Sequence, residues 1–66
     1  MQIQLNGEAR AFERASTVSE LINSLGLAGR RIAVEVNEEI VPRSQHAALY
    51  LSDGDRVEIV HAIGGG

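Results

Sequence analysis

The sequence predicts an α+β fold, in which a mixed sheet of four or five strands is covered on one face by a single helix. Several short stretches alternate polar and apolar residues, which is the period of a half-buried strand. One stretch combines apolar residues at helical spacing with a helix cap. With 66 residues, the chain is long enough for one domain with a small core.

The first two strands are predicted to form a hairpin. The chain begins with apolar residues that alternate with glutamines, and Asn6-Gly7, the strongest short hairpin signal, follows. A two-residue turn would place Arg10 opposite Ile3, whereas a three-residue loop would place Ala11 there. The three-residue loop keeps one face of the hairpin apolar, so the sequence favours that register, with the second strand at residues 9–13.

A helix is predicted over residues 18–25. Thr17 and Glu20 have the spacing of a capping box, in which each residue satisfies a backbone N–H of the other. Gly26 suits the left-handed position that closes a helix. The apolar stripe of this helix is typical of a core face and consists of Val18, Leu21, Ile22 and Leu25.

The second half of the chain predicts two further strands and a short one. Alternation predicts strands at residues 32–36 and 57–63. A short strand at Ile40-Val41 follows a turn and ends at a proline, which lacks the N–H that a sheet ladder needs. Residues 44–49 predict one helical turn capped by Ser44, before a short strand or an extended link.

The order of these elements predicts the sheet topology. A helix that follows a hairpin and leads into another strand supplies the crossover that parallel pairing requires. The first and last strands would then lie side by side at the centre of the sheet. This is the ubiquitin-like β-grasp arrangement, predicted for residues 1–63 and followed by a tail at residues 64–66.

The sheet face opposite the helix is a candidate docking surface. Phe12, Val60 and Ala62 are predicted to lie on this face and to be partly exposed. Exposed apolar patches often mark interfaces, so these three residues are candidate contacts for a partner protein. The alternative is a face covered by the stems of arginine and glutamate side chains.

Composition argues against several function classes. The chain has no cysteine, so neither a disulfide nor a thiol nucleophile is available. Its net charge is −3, and its six positive residues are arginines scattered along the chain, unlike the basic face of a nucleic-acid-binding protein. The start lacks a signal-peptide pattern, and no apolar run approaches the ~20 residues of a membrane span. We therefore expect a cytoplasmic protein with neither nucleic acid nor membrane as a partner.

No catalytic residue or metal site is predicted. His46 and His61 are the only histidines, and they lack the spacing and the acidic neighbours of a metal site. The serines lack the context of a nucleophile elbow. Asp53 and Asp55 flank a glycine, which is ordinary turn chemistry. These features favour a binding or carrier module.

The chain ends in Gly64-Gly65-Gly66, which predicts a flexible tail, because glycine has the most backbone freedom to lose on ordering. A tail without side chains would fit a channel too narrow for other residues and would present the α-carboxylate of Gly66. A poorly ordered terminus without a function is the alternative.

Several segments resemble the ThiS family, the sulfur carrier proteins of thiamine (thiazole) biosynthesis. The resemblance extends over nearly the whole chain, and its most specific part is the run Val-Asn-Glu-Glu-Ile-Val-Pro-Arg. One departure is His46, because the family would place an aromatic residue, often Trp, in the turn after Pro-Arg. The segments that carry the resemblance are Thr17-Val18, Val36–Arg43, Asp53–Asp55, Val57–Val60 and Ile63–Gly66.

The resemblance implies a defined chemistry at the end of the chain. An E1-like adenylating enzyme (ThiF type) would use ATP and magnesium to activate the carboxylate of Gly66. A sulfur-donating enzyme would then supply the sulfur that converts the adenylate into a thiocarboxylate. Thiazole synthase (ThiG type) would receive that sulfur. Gly64 and Gly65 would thread the channel of the partner. The chain itself would bind no cofactor and would act as a carrier rather than an enzyme.

Three alternatives remain open at the level of sequence. The first is a β-grasp sulfur carrier of another pathway, such as the small subunit of molybdopterin synthase. The chain would act as a ubiquitin-like modifier if Gly66 were joined to lysines of other proteins; this chain has no lysine to accept a copy of itself. The third alternative is a stand-alone binding module with an idle tail.

Overall fold

The sheet has five strands within residues 1–62, the part of the chain that the computed structural model describes. Its order is β2-β1-β5-β3-β4; β1 and β5 are parallel, and the other neighbours are antiparallel. The predicted α+β class and β-grasp topology are therefore confirmed, with the first and last strands side by side. The elements are β1 Gln2–Leu5, β2 Glu8–Ala11, α1 Val18–Ser24, β3 Ile32–Val36, β4 Glu39–Val41, a 3₁₀ turn Arg43–Gln45 and β5 Arg56–His61.

The helix α1 begins as predicted, with a reciprocal capping box. The hydroxyl of Thr17 accepts a hydrogen bond from the backbone N–H of Glu20 at 3.1 Å. In return, the carboxylate of Glu20 accepts from the backbone N–H of Thr17 at 2.8 Å. Two N–H groups at the helix start, which have no intrahelical partner, are thereby satisfied.

The end of α1 is a Schellman motif. Gly26 has φ 74°, the left-handed conformation predicted for it. Its N–H donates to the carbonyl of Asn23 at 3.1 Å, and the N–H of Leu27 donates to that of Ile22 at 3.0 Å. The helix proper ends one residue before the predicted limit, because Leu25 is its C-cap.

The core lies between α1 and one face of the sheet. Because β1 and β5 alternate between buried and exposed residues over most of their length, each presents an apolar face to the helix. The apolar stripe of α1 packs against these faces. The buried residues of the main core are Ile3, Leu5, Val18, Leu21, Ile22, Val34, Leu51, Val57 and Ile59.

The hairpin of β1 and β2 has the two-residue turn, so the predicted three-residue loop is wrong. Asn6 and Gly7 both have positive φ, 49° and 84°, as a type I′ turn requires. Arg10 therefore lies opposite Ile3, in the register that the apolar-face argument rejected. β2 is an edge strand whose four residues are all exposed, so no buried face of this strand selects the register.

The segment after β4 also differs from its prediction. A 3₁₀ turn at Arg43–Gln45 replaces the helical turn that Ser44 was expected to cap, and the N-cap is Pro42, without a side-chain hydrogen bond. The segment is instead attached to the first turn of α1: the N–H of Val18 donates to the carbonyl of Leu49 at 3.0 Å. After this segment, where a short strand or an extended link was predicted, the chain forms a single β-bridge between Thr17 and Tyr50.

Asn6 extends the pairing of β1 with its side chain. The backbone of β1 pairs with β5 only at its last two residues. Just beyond them, the Oδ1 atom of Asn6 accepts from the N–H of Ile59 at 2.8 Å, and its Nδ2 atom donates to the carbonyl of Ile59 at 3.2 Å. The amide side chain thus takes the place of a strand residue beside β5.

We expect the Asn6→Gly variant to be less stable by about 1–3 kcal/mol, because glycine keeps the left-handed turn but leaves both backbone groups of Ile59 without their partner. Urea unfolding measures this change. The Asn6→Asp variant is the matched control: it retains the acceptor for the N–H of Ile59 and should lose less stability. An Asn6→Gly variant as stable as the parent chain would contradict the proposed role.

Candidate functional site

The predicted tail follows the strand β5, which lies between β1 and β3. Val57 and Ile59 anchor β5 in the core. At the end of the strand, the N–H of Ala62 still donates to the carbonyl of Arg31 at 2.9 Å. The chain is therefore held against β3 up to residue 62. Ile63 and the three tail glycines, for which threading and modification are predicted, lie outside the described residues.

The three predicted docking residues do not share one face of the sheet. Phe12 forms backbone hydrogen bonds with Met1 in both directions, at 2.7 and 2.8 Å, and packs against the main core. It therefore lies on the helix side, and its assignment to the open face is wrong. The error follows from the rejected hairpin register, because a shift of one residue moves a strand side chain to the other face. Val60 and Ala62 are exposed, and their docking role stays a prediction.

The face of the sheet that α1 does not cover has an apolar and acidic surface across β4, β3 and β5. Ala33 lies opposite Val60, and Glu35 lies between Ile40 on one side and Glu58 on the other. Val60 is 56% exposed and Ile40 is 71% exposed. We call these five residues, Ala33, Glu35, Ile40, Glu58 and Val60, the open sheet face.

The electrostatics of the open sheet face favour a basic partner. Glu35 and Glu58 are direct cross-strand neighbours, an arrangement of like charges that destabilises a sheet. Within residues 1–62, neither carboxylate has a positive group within salt-bridge distance. A partner with a positive group at this place would relieve the repulsion. Sequence reasoning missed Glu35 and Ile40, because only the strand pairing shows that they lie on the same sheet face as Val60.

The motif residues Asn37 and Asp55 have a structural role. The backbone N–H of Arg56 donates to the Oδ1 atom of Asn37 at 2.9 Å, and the Nδ2 atom of Asn37 donates to Asp55 at 3.0 Å. The other carboxylate oxygen of Asp55 accepts from the N–H of Ser52 at 2.8 Å. Together, these bonds connect the β3–β4 turn to the turn that precedes β5. The start of the tail-bearing strand is held by this network.

Neither a metal-binding group of side chains nor a membrane-spanning helix is found within residues 1–62. Within residues 1–62, no three His, Cys, Asp or Glu side chains form a group that could hold a metal ion. His46 is buried and bonded to the carbonyl of Val41 at 3.0 Å, whereas His61 is exposed near the end of β5. No helix in the described part of the chain has the length and apolar character needed to cross a membrane.

Comparison with known proteins identifies the family. The ThiS family model matches residues 3–66, which include the tail. This chain belongs to the ThiS family. Its fold agrees with the crystal structure of a thiamine biosynthesis protein (ThiS) from Geobacter metallireducens, with a TM-score of 0.88 and 32% identity over the whole of both chains.

The relatives of this ThiS-family chain include sulfur carrier proteins and thiazole synthases. The sulfur carrier protein ThiS of Escherichia coli is 36% identical over the full length of both chains, and that of Bacillus subtilis is 35% identical over 97% of this chain and 98% of the relative. A thiazole synthase of Paramagnetospirillum magneticum is 48% identical over all 66 residues. The chain spans 20% of the length of that thiazole synthase.

We expect the Asp55→Ala variant to be less stable by about 1–2 kcal/mol, because the side chain of Asn37 and the N–H of Ser52 lose an acceptor. Thermal or urea unfolding measures the change. The Ser52→Ala variant is the matched control, since its hydroxyl forms no hydrogen bond within residues 1–62, and it should stay within about 0.5 kcal/mol of the parent. Equal stability of the two variants would contradict the role of Asp55.

Proposed function

We propose that this ThiS-family chain is a sulfur carrier of thiamine biosynthesis and that Gly66 carries the sulfur. The observation that supports this proposal most directly is the family match, which continues through the glycine tail to residue 66. The two bacterial ThiS proteins described above are named as sulfur carriers and align with essentially the whole chain. Because the activation step consumes ATP, we place the protein in the cytoplasm.

The proposed reaction begins at the carboxylate of Gly66, which is a poor electrophile. One of its oxygens attacks the α-phosphorus of ATP in the active site of an E1-like adenylating enzyme (ThiF type) with magnesium, and pyrophosphate leaves. A sulfide sulfur, supplied by a sulfur-donating enzyme, then adds to the acyl carbon, and AMP leaves. The product is a thiocarboxylate. The acyl adenylate requires a site that excludes water, since hydrolysis would return the carboxylate.

A glycine tail suits this reaction because the partner supplies the catalytic groups, and the carrier only has to extend its carboxylate into the active site. Residues 63–66 span at most about 14 Å, from ~3.3–3.6 Å per residue. Without side chains, the last three residues expose N–H and C=O groups that can bond to the walls of a narrow channel. The folded part of the chain stays outside, with β5 directing the tail toward the channel.

Thiazole synthase (ThiG type) is the proposed recipient of the sulfur. The thiazole synthases of two bacteria, Paramagnetospirillum magneticum and Magnetococcus marinus, contain a segment 48% and 42% identical to this chain. When two modules are present in one polypeptide, each encounters the other at a raised effective concentration. Such an arrangement is advantageous when the two modules act in succession, and it supports thiazole synthase as the partner of this chain.

We expect that adding one alanine after Gly66 abolishes thiocarboxylate formation, because the reacting carboxylate then belongs to another residue and sits at another depth in the channel. The assay incubates the chain with the E1-like enzyme, ATP, magnesium and sulfide, and measures intact mass. In the parent chain, one oxygen of Gly66 should be replaced by sulfur. An unchanged unfolding curve shows that the variant is folded. Normal conversion of the extended chain would refute the proposal.

The open sheet face is the proposed docking surface for the E1-like enzyme. It combines the exposed side chains of Ile40 and Val60 with the carboxylates of Glu35 and Glu58, which have no salt-bridge partner within residues 1–62. A complementary surface would be apolar with a positive group near its centre. Complementary charge speeds encounter and sets orientation, while buried apolar contacts provide most of the affinity.

We expect the Val60→Asp variant to bind the E1-like enzyme about tenfold more weakly, which corresponds to ~1.4 kcal/mol. The added carboxylate would enlarge the negative cluster and would be desolvated on docking. Ala48→Asp is the matched control: Ala48 is exposed and lies in the segment attached to α1, on the other side of the sheet. Binding is measured by calorimetry. Equal affinity of the two variants would exclude the open sheet face as the docking surface.

A further inference from the structure

A pocket of about 220 Å³ lies between α1 and the 3₁₀ turn, on the helix side of the sheet. Neither the tail chemistry nor the proposed docking surface uses it. The loop between α1 and β3 forms one wall, and the helix and the segment after β4 form the others. Its polar lining, which we call the arginine pocket, consists of Ser19, Asn23, Gly29, Arg30, Arg43 and His46.

The arginine pocket is positive in a chain whose net charge is −3. Two of the six arginines line it, and among the described residues no acidic side chain does. Within residues 1–62, neither Arg30 nor Arg43 has a carboxylate within 4.0 Å. The single acidic residue of α1, Glu20, does not line the pocket and is engaged with Thr17 in the capping box. The two guanidinium groups are therefore available for an anion from outside the chain.

His46 adds an acceptor to this positive lining. The residue is 9% exposed, and its Nε2 atom lies 3.0 Å from the carbonyl oxygen of Val41. Because a carbonyl oxygen only accepts hydrogen bonds, Nε2 carries the hydrogen, and in the neutral imidazole Nδ1 is an acceptor. Nδ1 has no hydrogen-bond partner within residues 1–62. Every fully buried side-chain nitrogen or oxygen within residues 1–62 has a hydrogen-bond partner, so Nδ1, which has none there, keeps some exposed surface.

We propose that the arginine pocket binds a phosphate group. A guanidinium binds two oxygens of a phosphate at once, and two guanidinium groups balance its charge. The hydroxyl of Ser19 and the amide of Asn23 supply further donors. Inorganic phosphate near neutral pH keeps a proton on one oxygen, and Nδ1 of His46 accepts it. This combination of cations with one acceptor distinguishes phosphate from sulfate, which carries no proton.

The test is a titration of the chain with inorganic phosphate at constant ionic strength, followed by the amide NMR signals of Gly29, Arg30 and His46. The buffer is mildly alkaline, which keeps inorganic phosphate mainly as its singly protonated dianion. We expect saturable shifts confined to the pocket. Shifts that stay linear in phosphate concentration or that spread evenly over all arginines would overturn the proposal.

Variants of exposed arginines distinguish a built site from general attraction to positive charge. Arg30→Gln and Arg43→Gln should each weaken phosphate binding about tenfold, because each removes a charged hydrogen-bond donor. Arg31→Gln is the matched control: it makes the same charge change one residue away, and Arg31 does not line the pocket. All three positions are exposed, so the fold should persist. An equal loss for Arg31→Gln would overturn the proposal.

Two further ligands define the chemistry. Sulfate should bind about tenfold more weakly than phosphate, because it cannot donate to His46. Equal affinity for the two anions would refute the assignment to phosphate. Methyl phosphate tests the same hydrogen bond: in a mildly alkaline buffer its dianion carries no proton, so it should bind about as weakly as sulfate. Binding as tight as that of inorganic phosphate would refute the role of His46 and assign the pocket to phosphate monoesters. This test is independent of the carrier function, since it uses neither Gly66 nor a partner enzyme.

Discussion

The parallel contact between β1 and β5 joins the two ends of the domain, and the backbone ladder that forms it is short. Only Gln4 and Leu5 of β1 have pairing partners in β5. Side chains and turns reinforce this contact on both sides. At one end, Asn6 bonds both backbone groups of Ile59. At the other, the carboxylate of Asp53 accepts from the N–H of Gln2 at 2.7 Å.

The turn residues of the family motif hold the start of β5, the strand that pairs with β1. Asn37 and Asp55 form no reactive cluster; they hold the turn before β5 to the turn after β3. The proposed carrier, which would insert its terminus into partner enzymes, needs a rigid base for its tail. Since small domains bury little surface, hydrogen-bonded turns contribute a large share of the rigidity of that base.

The proposed docking surface and the proposed phosphate site lie on opposite sides of the sheet. The open sheet face is apolar and acidic, whereas the arginine pocket on the helix side is positive. A protein that docks through one face leaves the other accessible to a small anion. The separation also makes the two proposals independent, because a variant such as Arg43→Gln changes the pocket without touching Val60.

Short-range chemistry allowed α1 and its caps to be predicted from the sequence, because the residues that form them are near neighbours in the chain. Alternation and the order of elements likewise predicted the β-grasp sheet, and the glycine tail with its flanking motifs predicted the family. Which face each edge residue occupies was decided only by the tertiary structure. Phe12 was misplaced because an exposed edge strand has no buried face to select its register. The arginine pocket was also not predictable, since Arg30 and Arg43 belong to separate segments that meet only when the segment after β4 packs on α1.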